Sequence, residues 1–141
     1  MARLKSREAL TAEVGFAGDG GRGVAYVRLP SRDGGRVARM PFDYDAQPEL
    51  RGREIGYAAL QTVAAFLRER GVRDVRFVVD DVLLARDLQE RAPLPAALNV
   101  AYMRLRCMLN QFSTYEIVPI SGASADLAAR ARVESAMHIA A

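Results

Sequence analysis

The sequence predicts an α/β domain: a mixed five-stranded sheet with helices packed on its faces. Two observations carry this. The first third alternates apolar and polar residues between glycine-rich turns, as the strands of an antiparallel meander do. From Arg51 onward the apolar period becomes helical, and helix-like stretches then alternate with short β-prone runs. Strands that meander first and alternate with helices afterwards imply helices laid over a mixed sheet.

The elements follow in order. Met1 to Leu10 is polar and reads as a loose lead-in. Thr11 to Gly18 alternates, with Val14 and Phe16 on one face. The loop Gly18-Asp19-Gly20-Gly21-Arg22-Gly23 satisfies the letters G-x-G-x-x-G, but a dinucleotide fingerprint needs a helix after it. Here the β-prone run Val24 to Leu29 follows, so a tight hairpin exploiting glycine's positive φ is expected instead. Ser31 to Gly35 is a second turn, and Arg36 to Asp43 a third strand. Pro41 within it cannot donate to a ladder and argues for an edge position or a bulge.

A helix is expected over Arg51 to Arg70, with Ile55, Ala59, Val63 and Phe66 on one face and Gly71 as its C-cap. Gly56, in its first turns, costs ~1 kcal/mol relative to alanine and suggests close packing. Val72 to Val79 is a strand whose apolar end suggests burial on both faces. Asp81 caps a helix over Val82 to Arg91, which Pro93 and Pro95 end. Pro95 opens a helix to Phe112 whose stripe of Leu98, Ala101, Tyr102, Leu105, Met108, Leu109 and Phe112 belongs to the core. Tyr115 to Pro119 is the last strand, and Ser124 is expected to cap a closing helix from Ala125 to about Ile139.

The 141 residues suffice for one domain with a real core. Half are apolar and 26% charged, which excludes a disordered chain. No run approaches the ~20 apolar residues of a membrane span, and the N-terminus lacks a signal pattern, so cytoplasm is the expectation. A single cysteine, Cys107, excludes an internal disulfide and a cysteine-rich zinc site. The net charge is +3, carried mostly by arginine, which suits phosphate contacts and permits a nucleic-acid partner. Solvated arginines on helix faces would give the same charge.

From about Ala12 to Ala131 the chain resembles the ribonuclease H-like superfamily, in its reverse-transcriptase-like ribonuclease H branch. Gly71 to Leu83 is similar to the family's helix end, fourth strand and Asp-Ser junction, with Asp81 in the serine's place. Glu116 to Ile120 followed by Ala125-Asp126-Leu127-Ala128 is similar to its last strand and Ala-Asp-x-Leu-Ala helix start. Asp19-Gly20 resembles its Asp-Gly.

The resemblance implies four carboxylates, from the first strand, first helix, fourth strand and last helix. They would hold two Mg or Mn ions for hydrolysis of the RNA strand of an RNA–DNA hybrid. Carried over by position, Asp80 matches the fourth-strand aspartate and Asp126 the last. Asp19 or Ala17 takes the first position. The family's helix glutamate becomes Gly56 in Gly56-Tyr57-Ala58-Ala59-Leu60, and Glu54 replaces it only if the helix shifts register. The histidine that active members often carry before the last aspartate is absent, and His138, far along the last helix, is expected to be a surface or packing residue.

The expected catalytic and metal residues are therefore Asp19, Asp80 and Asp126. The expected function is a catalytically impaired domain that binds nucleic acid or a protein partner. An active metal-dependent nuclease and a self-associating structural module, forming a homo-oligomer, are the alternatives.

Overall fold

A computed structural model describes residues 9–30, 35–90 and 93–140, with the side chains of 138–140 excepted. The lead-in before Ala9, the turn at 31–34, the helix end at Arg91 and the role of His138 lie outside the described residues.

The strands are β1 (Leu10–Asp19), β2 (Arg22–Leu29), β3 (Arg36–Asp43), β4 (Asp74–Val79) and β5 (Thr114–Pro119). The helices are α1 (Arg53–Glu69), α2 (Val82–Glu90), α3 (Asn99–Leu109) and α4 (Ala125–Ala140). Short 3-10 turns at Pro48–Leu50 and Ala96–Leu98 lead into α1 and α3; the second takes the place of the first turn expected after Pro95, so α3 begins only at Asn99. The sheet order is β3-β2-β1-β4-β5, antiparallel through the meander and parallel from β1 to β4 to β5.

The meander closes as its glycines require. Gly20 and Gly21 both have positive φ, 62° and 88°, which makes a two-residue turn whose twist matches the strands it joins. Pro41 lies on β3, an edge strand, where its missing N–H leaves no gap in an inner ladder. Gly71, at φ 83°, ends α1, and the Val72 N–H donates across it to the Leu67 carbonyl at 3.1 Å.

Alternation along the strands builds two apolar layers. Ala12, Val14, Ala25, Val27, Phe77 and Val79 face α1, α2 and α3 in the main core. Val24 and Tyr26 face α4 and pack on Leu127 and Ala131. Burial of Phe77, Val78 and Val79 follows from the place of β4 between β1 and β5. Helices thus cover both faces of a five-stranded mixed sheet.

One cap differs from the sequence expectation. Ser124 has a left-handed backbone, φ 58°, and its buried hydroxyl makes no hydrogen bond. The Asp126 carboxylate, in the first turn of α4, instead stands where the helix dipole favours a negative charge.

Candidate functional site

The parallel pairing of β1 with β4 decides which residues can meet. Val14 lies opposite Val79, so one step further Gly15 stands at the level of Asp80. A side chain on β1 at this level would be the nearest strand partner for the Asp80 carboxylate. Gly15 has none, and none would fit. A Cβ there would lie 2.4 Å from the Ala128 nitrogen and 2.7 Å from Leu127, because α4 rests on the bare backbone.

Asp19 stands elsewhere. It pairs with Arg22 at the hairpin tip, four residues beyond Gly15, or roughly 13 Å further along the strand at 3.3 Å per residue. Its neighbourhood is Tyr44: burial raises that phenol's pKa, and the charges of Glu54 and Asp19 raise it further. Ala17, the other expected position, pairs with Val24 and lies two residues beyond Gly15, so it too stands past the level of Asp80. The residue at the right level was legible only through the β1–β4 register, which no single sequence displays.

On α1 the two alternatives separate cleanly. Gly56 faces the corner where β1, β4 and α2 converge; a Cβ would meet Asp81 Oδ2 at 3.1 Å, Phe16 Cζ at 3.3 Å and Leu84 Cδ2 at 3.4 Å. Glu54, about 200° round the helix from Gly56, is 7% exposed and turns to the preceding loop. There its Oε2 accepts the Gln47 N–H at 2.8 Å. The helix has not shifted register to present Glu54 in place of Gly56.

Asp80 is exposed just past the end of β4. Asp81 caps α2, its Oδ1 accepting the Leu84 N–H at 2.9 Å. Burial pushes the Asp81 carboxyl up, the Leu84 hydrogen bond opposes this, Asp87 adds to the rise and Arg53 reduces it.

Asp87, on the next turn of α2, is a residue the sequence reading passed over. It is 2% exposed and accepts Arg53 Nη2 at 2.6 Å and the Tyr57 hydroxyl at 2.7 Å. Burial and the Asp87 hydrogen bond drive the Tyr57 phenol far above its ordinary range, so it stays a donor. An acidic residue among the apolar positions Leu84, Ala85 and Leu88 was the available signal, since a buried carboxylate needs partners.

Asp126 lies on the opposite face of the sheet, hydrogen-bonded to Arg28 of β2. Arg28 also pairs with Glu13 at 3.3 Å. The guanidinium beside it holds the Asp126 carboxyl below the usual carboxylate range. Among the described residues, no three acidic, histidine or cysteine side chains are grouped to hold a metal ion. The residues present do not fit a two-metal carboxylate centre: Gly56 on the α1 face and Gly15 on the α4 face offer no ligand, and the Asp126 carboxylate already bonds Arg28.

No protein-family model and no curated protein matches the chain. Solved structures do. It is similar to RNase H1 from the halophilic archaeon Halobacterium salinarum, with TM-score 0.72 and 18% identity over 93% of this chain and 99% of that one. The N-terminal RNase H domain of a Mycobacterium tuberculosis protein, solved as a fusion with maltose-binding protein, aligns with TM-score 0.63 and 15% identity over 93% and 98% of the two chains. LC11-RNase H1, isolated from compost by a metagenomic approach, aligns with TM-score 0.64 and 14% identity over 89% and 91%. Its complex with an RNA/DNA hybrid gives TM-score 0.59 at 12% identity over 88% and 91%. The chain therefore has the ribonuclease H-like fold.

Proposed function

We propose that this ribonuclease H-like domain binds nucleic acid without cutting it. The observation that carries the reading is a pair of glycines, Gly56 on the α1 face of the sheet and Gly15 on the α4 face. Gly56 faces Asp81 where the resemblance calls for a glutamate, and Gly15 lies level with Asp80 with helix backbone against it. In-line hydrolysis by this fold family depends on two ions held by clustered carboxylates. Asp80 and Asp126 alone, one of them bound to Arg28, do not make such a centre.

Binding needs less. Exposed arginines stand on elements framing the corner, among them Arg51 before α1 and Arg86 on α2. Guanidinium groups contact phosphates bidentately and without regard to sequence. The hybrid bound in the LC11-RNase H1 complex makes an RNA–DNA hybrid the first partner to test.

Fluorescence anisotropy with a labelled hybrid, in EDTA, tests the reading. Binding is expected at low salt, with log K falling by about 0.7–0.9 per log unit of salt for each phosphate contact. Arg51→Ala and Arg86→Ala should each weaken it and flatten that slope. Absence of binding to hybrid, RNA and DNA at low salt would refute the proposal and favour a purely structural module.

A further inference from the structure

We infer that this chain has exchanged divalent metal for built-in guanidinium counterions, Arg53 on one face of the sheet and Arg28 on the other. The inference concerns the carboxylates themselves and stands whether or not nucleic acid binds.

On the α1 side, Arg53 projects from the helix turn preceding Gly56 and bonds Asp87 at 2.6 Å, with Tyr57 as the second donor. Its charge also reaches Asp81, whose Oδ2 faces the place a Gly56 side chain would fill. A carboxylate this deep, 2% exposed, requires a cation or several donors. The cation is covalently part of α1. On the α4 side, Arg28 bridges Glu13 and Asp126, carboxylates from a strand and a helix that would otherwise repel.

The two arginines thus fill the electrostatic role of an ion, with directed N–H groups in place of open coordination positions. Arginine suits this because it never deprotonates and its fork fits carboxylates. Such a domain needs no metal to hold Asp87, Glu13 and Asp126 in place, and an arriving ion finds each of these carboxylates already bound to a guanidinium.

Mn²⁺ itself is the probe. Thermal unfolding of the wild-type protein is expected to coincide in EDTA and in millimolar MnCl₂, with no selective paramagnetic broadening of the Glu13, Asp80, Asp81 or Asp126 amides. A saturable rise in Tm, or broadening at those amides that Asp80→Asn removes, would overturn the inference. Arg28→Gln, changed at a partly exposed residue and expected to fold, supplies the second arm. It should acquire Mn²⁺-dependent broadening at Glu13 and Asp126 that the wild type lacks. A variant as indifferent to Mn²⁺ as the wild type would show that Arg28 does not stand in for an ion.

Discussion

Asp87 shows how much of this protein rests on a single side chain. Removing one partner of a buried ion pair commonly costs 3–5 kcal/mol, because the other charge stays behind. Arg53 is 26% exposed and can partly rehydrate, so Asp87→Ala should cost nearer ~3 kcal/mol, read as a lower urea midpoint. Asp81 offers a contrast in mechanism. Its Oδ1 satisfies the Leu84 N–H, so Asp81→Ala should lose about 1 kcal/mol of capping, whereas Asp81→Asn keeps an acceptor oxygen and should lose little. The Arg28–Asp126 pair belongs to pH. The Asp126 carboxyl is depressed in the folded state, so its contribution is present above the unfolded pKa and is lost as pH falls through the folded value. In Arg28→Gln, carbon-detected NMR should find Asp126 titrating nearer the ordinary ~3.9.

At the scale of elements, two glycines that look alike in sequence behave differently. Around Gly56 the neighbours are side-chain tips at 3.1–3.4 Å, and alanine gains helix propensity of ~1 kcal/mol, so Gly56→Ala should be close to neutral. Around Gly15 the neighbour is the α4 backbone at 2.4 Å, which cannot swing away. Gly15→Ala should therefore destabilise by 2 kcal/mol or more, roughly, by lifting α4 from β1; calorimetry of the two variants separates the cases. Gly56 was legible as a place of close packing because glycine inside a helical period demands a reason. Gly15 was not, because glycine in an alternating strand carries no such demand until the packing helix is seen. The three-strand meander, the Asp81 cap and the α3 stripe followed from local chemistry. The late start of α3 did not, because apolar periodicity cannot tell a 3-10 turn from the first turn of a helix.

For the whole molecule, element order was enough to recognise the ribonuclease H-like architecture, since meander and alternation leave few ways to stack helices on one sheet. The site was harder, because it depends on strand register. Asp19, Asp80 and Asp126 are three acidic residues in the expected order, yet β1–β4 pairing puts Asp19 far past Asp80, and β2 supplies Asp126 with an arginine. Self-association through β3 is also discouraged, because Pro41 and the flanking Arg36, Arg39 and Asp43 guard that edge. Sedimentation should find no dimer that Val37→Lys, at an exposed β3 position, disrupts. Whether the domain cuts is decided by single-turnover incubation of excess protein with a labelled RNA–DNA hybrid in Mg²⁺ or Mn²⁺. Intact hybrid is expected, identical for wild type and Asp80→Asn. Metal-dependent cleavage by the wild type that Asp80→Asn abolishes would contradict the proposal.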